Sequence, residues 1–393
     1  MKKLLLATTA VMMAGMANAE DIKMGVSLAF TGPLESMAPA MASGAELAMK
    51  EVSDSGKLLG GDTITPVRSD TTCIDAAAAS AGVEKLITVD GVRGIVGGMC
   101  SGETTASLQN VAMPNGMVMI SPSATSPALS DLPDDGLFFR TSPSDARQGQ
   151  VMTEILMEHG VKSVALTYTN NDYGKGLADS FAAAYEAAGG KVTINAGHDD
   201  GKPDYSAEVG SLASAGGDAL VIAGYIDQGG AGILRGAIDS GAFETFVFPD
   251  GMVGQALEDG FGKETNGSFG QMPSSEGAGK DKFVELAKAA GFDGTSVYSG
   301  EAYDAAALMM LAMEAAGSTD PQAYKGKIMD IANAPGEPIL AGELGKALEL
   351  IKAGTDIDYQ GASSVEFIGN GESSGTFREI EIKDDKISTV KYR

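Results

Sequence analysis

Tryptophan is absent, cysteine and histidine occur twice each, and basic residues number 28 against 53 acidic ones. Each shortage removes a class of chemistry. His159 stands before a glycine at an expected helix C-terminus, where an imidazole complements the dipole, and His198 sits in the polar turn GHDDGKPD. No HExxH, paired CxxC, GxSxG or GxxxxGK[ST] occurs in the chain. GMCSG has the wrong spacing for a nucleophile elbow, and GVRGIVGG runs into a strand where a dinucleotide loop would leave one. Hydrolysis therefore has little to stand on, and neither a metal nor a cofactor is expected. The formal charge of −25 repels nucleic acid and anionic lipid, which excludes both as partners.

What is present begins with an export segment. Lys2 and Lys3 precede an apolar stretch too short to span a bilayer, and Ala17-Asn18-Ala19 supplies small residues for cleavage. Residues 1–19 are expected to be a signal peptide, with the mature chain starting at Glu20 and located in the periplasm. Loss of the two lysines takes the charge from −25 to −27. In an oxidising compartment, Cys73 and Cys100 favour a disulfide over a metal site or nucleophile, with a free-thiol pair as the alternative. A bridge over that loop would stabilise by roughly 3–4 kcal/mol in the chain-entropy picture.

Short β-rich runs alternate with alanine-rich helical stretches along the whole mature chain. DIKMGVSLAF, TITPVRSD, VRGIVGG and GMVMIS read as strands separated by helices. A second series follows the turn-rich SPSDARQGQ, with strands SVALTYT, KVTINAG, ALVIAGY and TFVFPD. A helix is expected from about Ala302 to Ala316, then an antiparallel β element with a turn at Asn370-Gly371. The class is α/β: two doubly wound, mostly parallel sheets. Periodicity leaves open whether they are successive domains or lobes that exchange chain.

In such sheets ligands sit at the C-terminal strand ends. There the first series offers Ser101 and Gly102, then Ser123, Ala124 and Thr125, hydroxyls and N–H groups suited to a carboxylate. Taken alone, each of these motifs is better accounted for by helix capping. The second series ends its strands with Tyr173, Tyr225 and Asp250, an acid with aromatics suited to an ammonium group. Together the two sets suit a zwitterion.

The run AFTGPLESMAPAMASGAELA, the cysteine pair, GGMCSGETT, MVMISPSATSPALS, YTNNDYGKGLA, IAGYIDQGGAGILRGA and FPDGM resemble, in this order, the type I periplasmic binding proteins of branched-chain amino acid ABC transporters. The resemblance implies a clam-shell of two Rossmann-like lobes joined by three crossovers, near Thr141, Pro273 and Gly354. The first lobe would comprise residues 20–141 and 274–354, the second 142–273 and 355–393. By the same resemblance Ser101, Ser123 and Thr125 would hold the ligand carboxylate and part of the amino group. Asp250 would hold the ammonium, Tyr173 and Tyr225 would come from the closing lobe, and the family disulfide maps onto Cys73 and Cys100. Met37 stands where relatives place an aromatic, and Tyr298 aligns with another apolar aromatic. Glu301 is expected on the solvent-facing first turn of its helix. The implied partners are a small amino acid and a membrane-embedded ABC permease, with the binding protein a monomer. Alternatives are a ligand sensor for a chemoreceptor or regulator, and a receptor for a short amide, urea or small carboxylate.

Overall fold

Strands form where β-branched runs end at glycine or polar turns, and the alanine-rich stretches between them wind into covering helices. The computed structural model describes residues 19–393 apart from Asn370. The expected export segment therefore lies outside the described residues except for Ala19, as does Asn370 of the expected turn. Among the described residues no helix is long and apolar enough to cross a membrane.

The first sheet contains β1 (Asp21–Leu28), β2 (Thr63–Asp70), β3 (Ile95–Gly97), β4 (Met119–Ser121) and β5 (Phe138–Pro143). The second contains β6 (Ser163–Thr169), β7 (Lys191–His198), β8 (Ala219–Ala223), β9 (Phe246–Phe248) and β10 (Phe269–Pro273). A small parallel pair, β11 (Glu337–Leu340) and β12 (Ile357–Gly361), follows. The C-terminal segment forms two hairpins, β13 (Phe367–Ile368) with β14 (Glu372–Ser373), and β15 (Phe377–Lys383) with β16 (Lys386–Tyr392). The sheet orders are β13-β14-β5-β4-β3-β1-β2 and β16-β15-β10-β9-β8-β6-β7. Strand order reverses beside β1/β3 in one sheet and β6/β8 in the other, and crevices open at such points.

The helices that matter for the site are, in order, α1 (Ala38–Ser55), α2 (Ala76–Lys85), α3 (Ser101–Ser107), α4 (Asp145–Glu158), α5 (Asp172–Ala187), α6 (Ser206–Ala215), α7 (Gly229–Ser240), α8 (Gln255–Phe261), α9 (Ala278–Ala290) and α10 (Ser299–Ala316). Helix α10 is apolar nearly all round and is buried from Ser299 to Met313, packed chiefly on α1.

The chain passes between sheets three times: after Pro143, after Pro273, and across residues 374–376. The last passage corrects the expected crossing near Gly354. Residues 355–373 stay with the first lobe, because β14 pairs in parallel with β5 and β12 pairs with β11. The passages lie side by side: Ser274 N–H donates to the Thr376 carbonyl at 3.0 Å, and the Thr376 hydroxyl donates to the Ser274 carbonyl at 2.7 Å. Gly375 has φ 49°, and a Cβ there would come within 2.5 Å of Pro143, so only glycine lets the first and third passages touch.

Candidate functional site

One side of the crevice is built from loops that follow β1, β3 and β4. A disulfide joins Cys73 to Cys100 with Cα atoms 5.3 Å apart, tying the loop after β2 to the loop after β3. Glu103 reaches back from α3 and accepts the Met99 and Cys100 N–H groups at 2.7 and 3.0 Å, a reciprocal cap that fixes the turn into the helix. Burial raises the Glu103 carboxyl to about 7 despite those bonds. Ser101 and Ser123 project from this frame. The Ser101 hydroxyl accepts from Ser126 N–H at 3.1 Å, and the Ser123 hydroxyl donates to the Met99 carbonyl at 2.8 Å.

The opposite side follows β6, β8 and β9. Tyr173 lies in the first turn of α5, capped by Asn171, and stacks on Tyr225 with centroids 5.2 Å apart. Asp250 is buried. Its Oδ1 accepts from Gln148 at 2.5 Å and from the Tyr173 hydroxyl at 2.9 Å, while Oδ2 accepts from the Tyr298 hydroxyl at 2.5 Å. Burial raises the Asp250 carboxyl, and the bonds from Tyr298, Gln148 and Tyr173 pull it back. Burial, reinforced by the Asp250 charge, raises Tyr173 and Tyr298 well above the ordinary phenol range, so both remain neutral donors.

Both sides meet in one cavity lined by Leu34, Met37, Met99, Cys100, Ser101, Ser123, Tyr173, Tyr225, Asp250, Gly251 and Tyr298. It holds about 290 Å³ between atoms, and the bond from Tyr298 of one lobe to Asp250 of the other spans it, so the lobes are closed on each other. Its wall contains one carboxylate and no cationic side chain. A larger, open groove lies between α6 and α7, but its cations are occupied, Lys202 by Glu208 and Arg235 by Glu264.

Seven of the ten binding residues expected from the sequence line this cavity: Met37, Ser101, Ser123, Tyr173, Tyr225, Asp250 and Tyr298. Three do not. Gly102 faces an adjoining groove between the lobes, where a Cβ would stand 3.8 Å from Asp172. Ala124 and Thr125 are turned away because buried Arg140 draws in the Ala124 and Ser126 carbonyls at 3.2 and 2.9 Å, while the Thr125 carbonyl accepts from Asp145 N–H. Tyr298 is no plain apolar cover: its hydroxyl crosses to the other lobe, and its φ of 61° is the left-handed conformation that a tyrosine adopts under strain.

Glu301 also departs from expectation. It is 5% exposed, not solvent-facing, and burial raises its carboxyl to about 7, with Lys280 opposing. Its carbonyl accepts from the Thr141 hydroxyl at 2.8 Å, which sets it at the crossings outside the cavity wall. Gln148, Leu34 and Met99 were missed. For Gln148 the signal was present: Ser144 before Asp145 is a helix N-cap, which starts α4 inside the stretch SPSDARQGQ that reads as turn-rich and carries Gln148 inward.

In sequence, the periplasmic binding protein family matches residues 21–337. A Leu/Ile/Val-binding protein homolog of Brucella melitensis is 30% identical over 308 residues, 77% of this chain and 80% of its own length. In structure, a branched-chain amino acid transporter substrate-binding protein of Streptococcus pneumoniae in complex with isoleucine superposes with TM-score 0.78 at 23% identity, covering 94% of this chain and 99% of that one. A solute-binding protein of R. palustris in complex with 4-hydroxybenzoate gives TM-score 0.75 at 18% identity over 95% and 97%. Two interlocked α/β lobes closed on a polar-ended cavity, with matching sequence along most of the length, make this chain a member of the periplasmic binding protein family, in the branch of the Leu/Ile/Val-binding proteins.

Proposed function

We propose that the protein captures a small apolar amino acid, a branched-chain one foremost, by closure of its lobes and delivers it to a membrane-embedded ABC permease. The observation that carries this is the single buried carboxylate of Asp250 in a wall without a cation. An uncompensated charge in such a place is expensive, and an ammonium group supplies the missing partner. The hydroxyls are polarised to match. Ser123 spends its proton on Met99, leaving lone pairs for an ammonium, whereas Ser101 accepts from Ser126 and keeps its proton for a carboxylate. Tyr225 accepts from Asn171 at 3.3 Å and keeps its proton likewise. Leu34, Met37 and Met99 give an apolar surface, and thioethers adapt to side chains of different shape. Capture needs no covalent chemistry. Contact with both lobes shifts the population toward the closed form, whose continuous two-lobe face suits a permease.

A small aromatic carboxylate is the second possibility, because the R. palustris neighbour holds 4-hydroxybenzoate. Such a ligand would leave Asp250 uncompensated. Calorimetry on unfolded, ligand-stripped and refolded protein separates the two. Leucine, isoleucine or valine is expected to bind, and benzoate to bind more weakly or not at all. Asp250→Ala is expected to weaken amino-acid binding at least thirtyfold, about 2 kcal/mol, the lower end for breaking a buried charge pair. Unchanged affinity in that variant removes Asp250 from the site, and tighter binding of benzoate than leucine overturns the ligand class. Co-purification with permease subunits, against a chemoreceptor, tests the destination.

A further inference from the structure

Across the mouth of the cleft the lobes are joined by two reciprocal bonds made by a residue that does not line the cavity. Ser36 N–H donates to Oδ2 of Asp227 at 2.9 Å, and Asp227 N–H donates to the Pro33 carbonyl at 3.1 Å. Pro33 and Ser36 lie in the first lobe, between β1 and α1, whereas Asp227 lies in the second, between β8 and α7. At its start the first-lobe loop is anchored to its own lobe, where Thr31 N–H and hydroxyl donate to Asp70 at 3.3 and 2.7 Å. From Gly32 to Met37 the other bonds are short-range: Gly32 N–H to Glu35, Glu35 N–H to the Gly32 carbonyl, and Met37 N–H to the Leu34 carbonyl. These set the loop's shape, and beyond Thr31 its bonds to the opposite lobe are the two at Asp227. Leu34 and Met37 on the same loop roof the cavity, and Tyr225, two residues before Asp227, forms its opposite wall.

We infer that Asp227 is a positioning residue for capture, a clasp that holds the loop bearing Leu34 and Met37 over the ligand and so sets how long the ligand stays. The inference deepens the proposed function and rests on it for the identity of the ligand. Both bonds span the lobes, so they exist only after closure and add nothing to the encounter of ligand with the open cleft. Interactions of that kind act on dissociation and leave association alone. A carboxylate that accepts a main-chain N–H makes a charge-assisted bond, stronger than a neutral one.

Stopped-flow measurement of tyrosine fluorescence with leucine, on the full mature chain, tests the clasp. Asp227→Ala is expected to release leucine about tenfold faster with association unchanged within about twofold. Tenfold corresponds to 1.4 kcal/mol, within reach of one hydrogen bond to a charged group. Asp227→Asn keeps a carbonyl oxygen for Ser36 N–H and is expected to restore most of the slow release. An unaltered release rate in Asp227→Ala, a matching loss in association, or failure of Asp227→Asn to rescue overturns the assignment. If the wild type binds no amino acid, the ligand class falls, and the clasp is judged on the Ser36 amide alone. Its hydrogen exchange is expected to be protected in the wild type and in Asp227→Asn and to open in Asp227→Ala. An unprotected Ser36 amide in the wild type overturns the clasp by itself.

Discussion

The two faces of the cleft solve different problems. The first lobe offers hydroxyls and thioethers on a frame locked by a disulfide and a reciprocal helix cap. The second offers a charge and two stacked tyrosines, and its acid meets a full set of donors only because Tyr298 crosses from the first. One face is pre-shaped; the other is completed by closure. A ligand that lands first on the rigid face meets little reorganisation there, and the electrostatic gain comes with the swing of the partner lobe.

That contrast can be broken from either side. Replacing Cys73 and Cys100 together by serine is expected to lower unfolding free energy by about 3–4 kcal/mol, the loop-closure value for a bridge of this span. Denaturant titration reads this, with leucine affinity of the folded variant expected to stay within about threefold. A collapse of affinity without loss of stability would mean that the frame is not what the bridge supports. Tyr298→Phe removes one donor to Asp250 and is expected to weaken binding about fivefold, near 1 kcal/mol, in calorimetry. No change would show that the second lobe keeps its acid satisfied without help.

The smallest effect concerns pH, and Glu301 in the first lobe and His198 in the second should contribute with opposite sign. Burial raises Glu103 and Glu301 to about 7 and Asp304 to about 6, and all three belong to the first lobe. The native state then binds more protons than the unfolded chain between about 4.5 and 7, so the first lobe loses stability as pH rises through that window. His198, in the second lobe, is lowered to about 4 by burial, so it is neutral when native and protonated when unfolded. The His198 contribution therefore grows as pH rises from about 4 to 6.5, against the buried Asp145, Asp200 and Asp250 carboxyls of the same lobe, which burial raises. Thermal unfolding of Glu301→Gln and His198→Asn from pH 4.5 to 7.5 checks this. The first should flatten the loss at the upper end and the second the gain at the lower, and parallel slopes would refute the opposition.

Much of the fold was legible, and because parallel sheets open their crevices at strand ends, the sequence brings Ser101, Ser123, Tyr173, Tyr225 and Asp250 to the wall of one cavity. The misses are local. Gly102, Ala124 and Thr125 sit one or two residues beyond cavity-lining positions, and for Ala124 and Thr125 a turn held by a distant arginine sets the path of the chain. Gln148 comes from the body of a helix, where the strand-end rule is silent. Glu301 was placed outward on dipole grounds, yet a helix of alanine and methionine on every side has no outward face. The third crossing was misplaced because β13 and β14 are two residues each, and nothing local says which sheet such short strands join.

That last strand carries a consequence for biogenesis. The first lobe gains β14 beside β5 only at Ser373, twenty residues before the C-terminus. The parallel part of that sheet, β1 to β5, is contiguous in sequence, whereas its far edge waits for a segment about 230 residues further along the chain, so closing it is a long-range step. A polypeptide wired in this order can assemble most of one sheet early and yet keeps an unpaired edge at β5 until its tail returns to cover it.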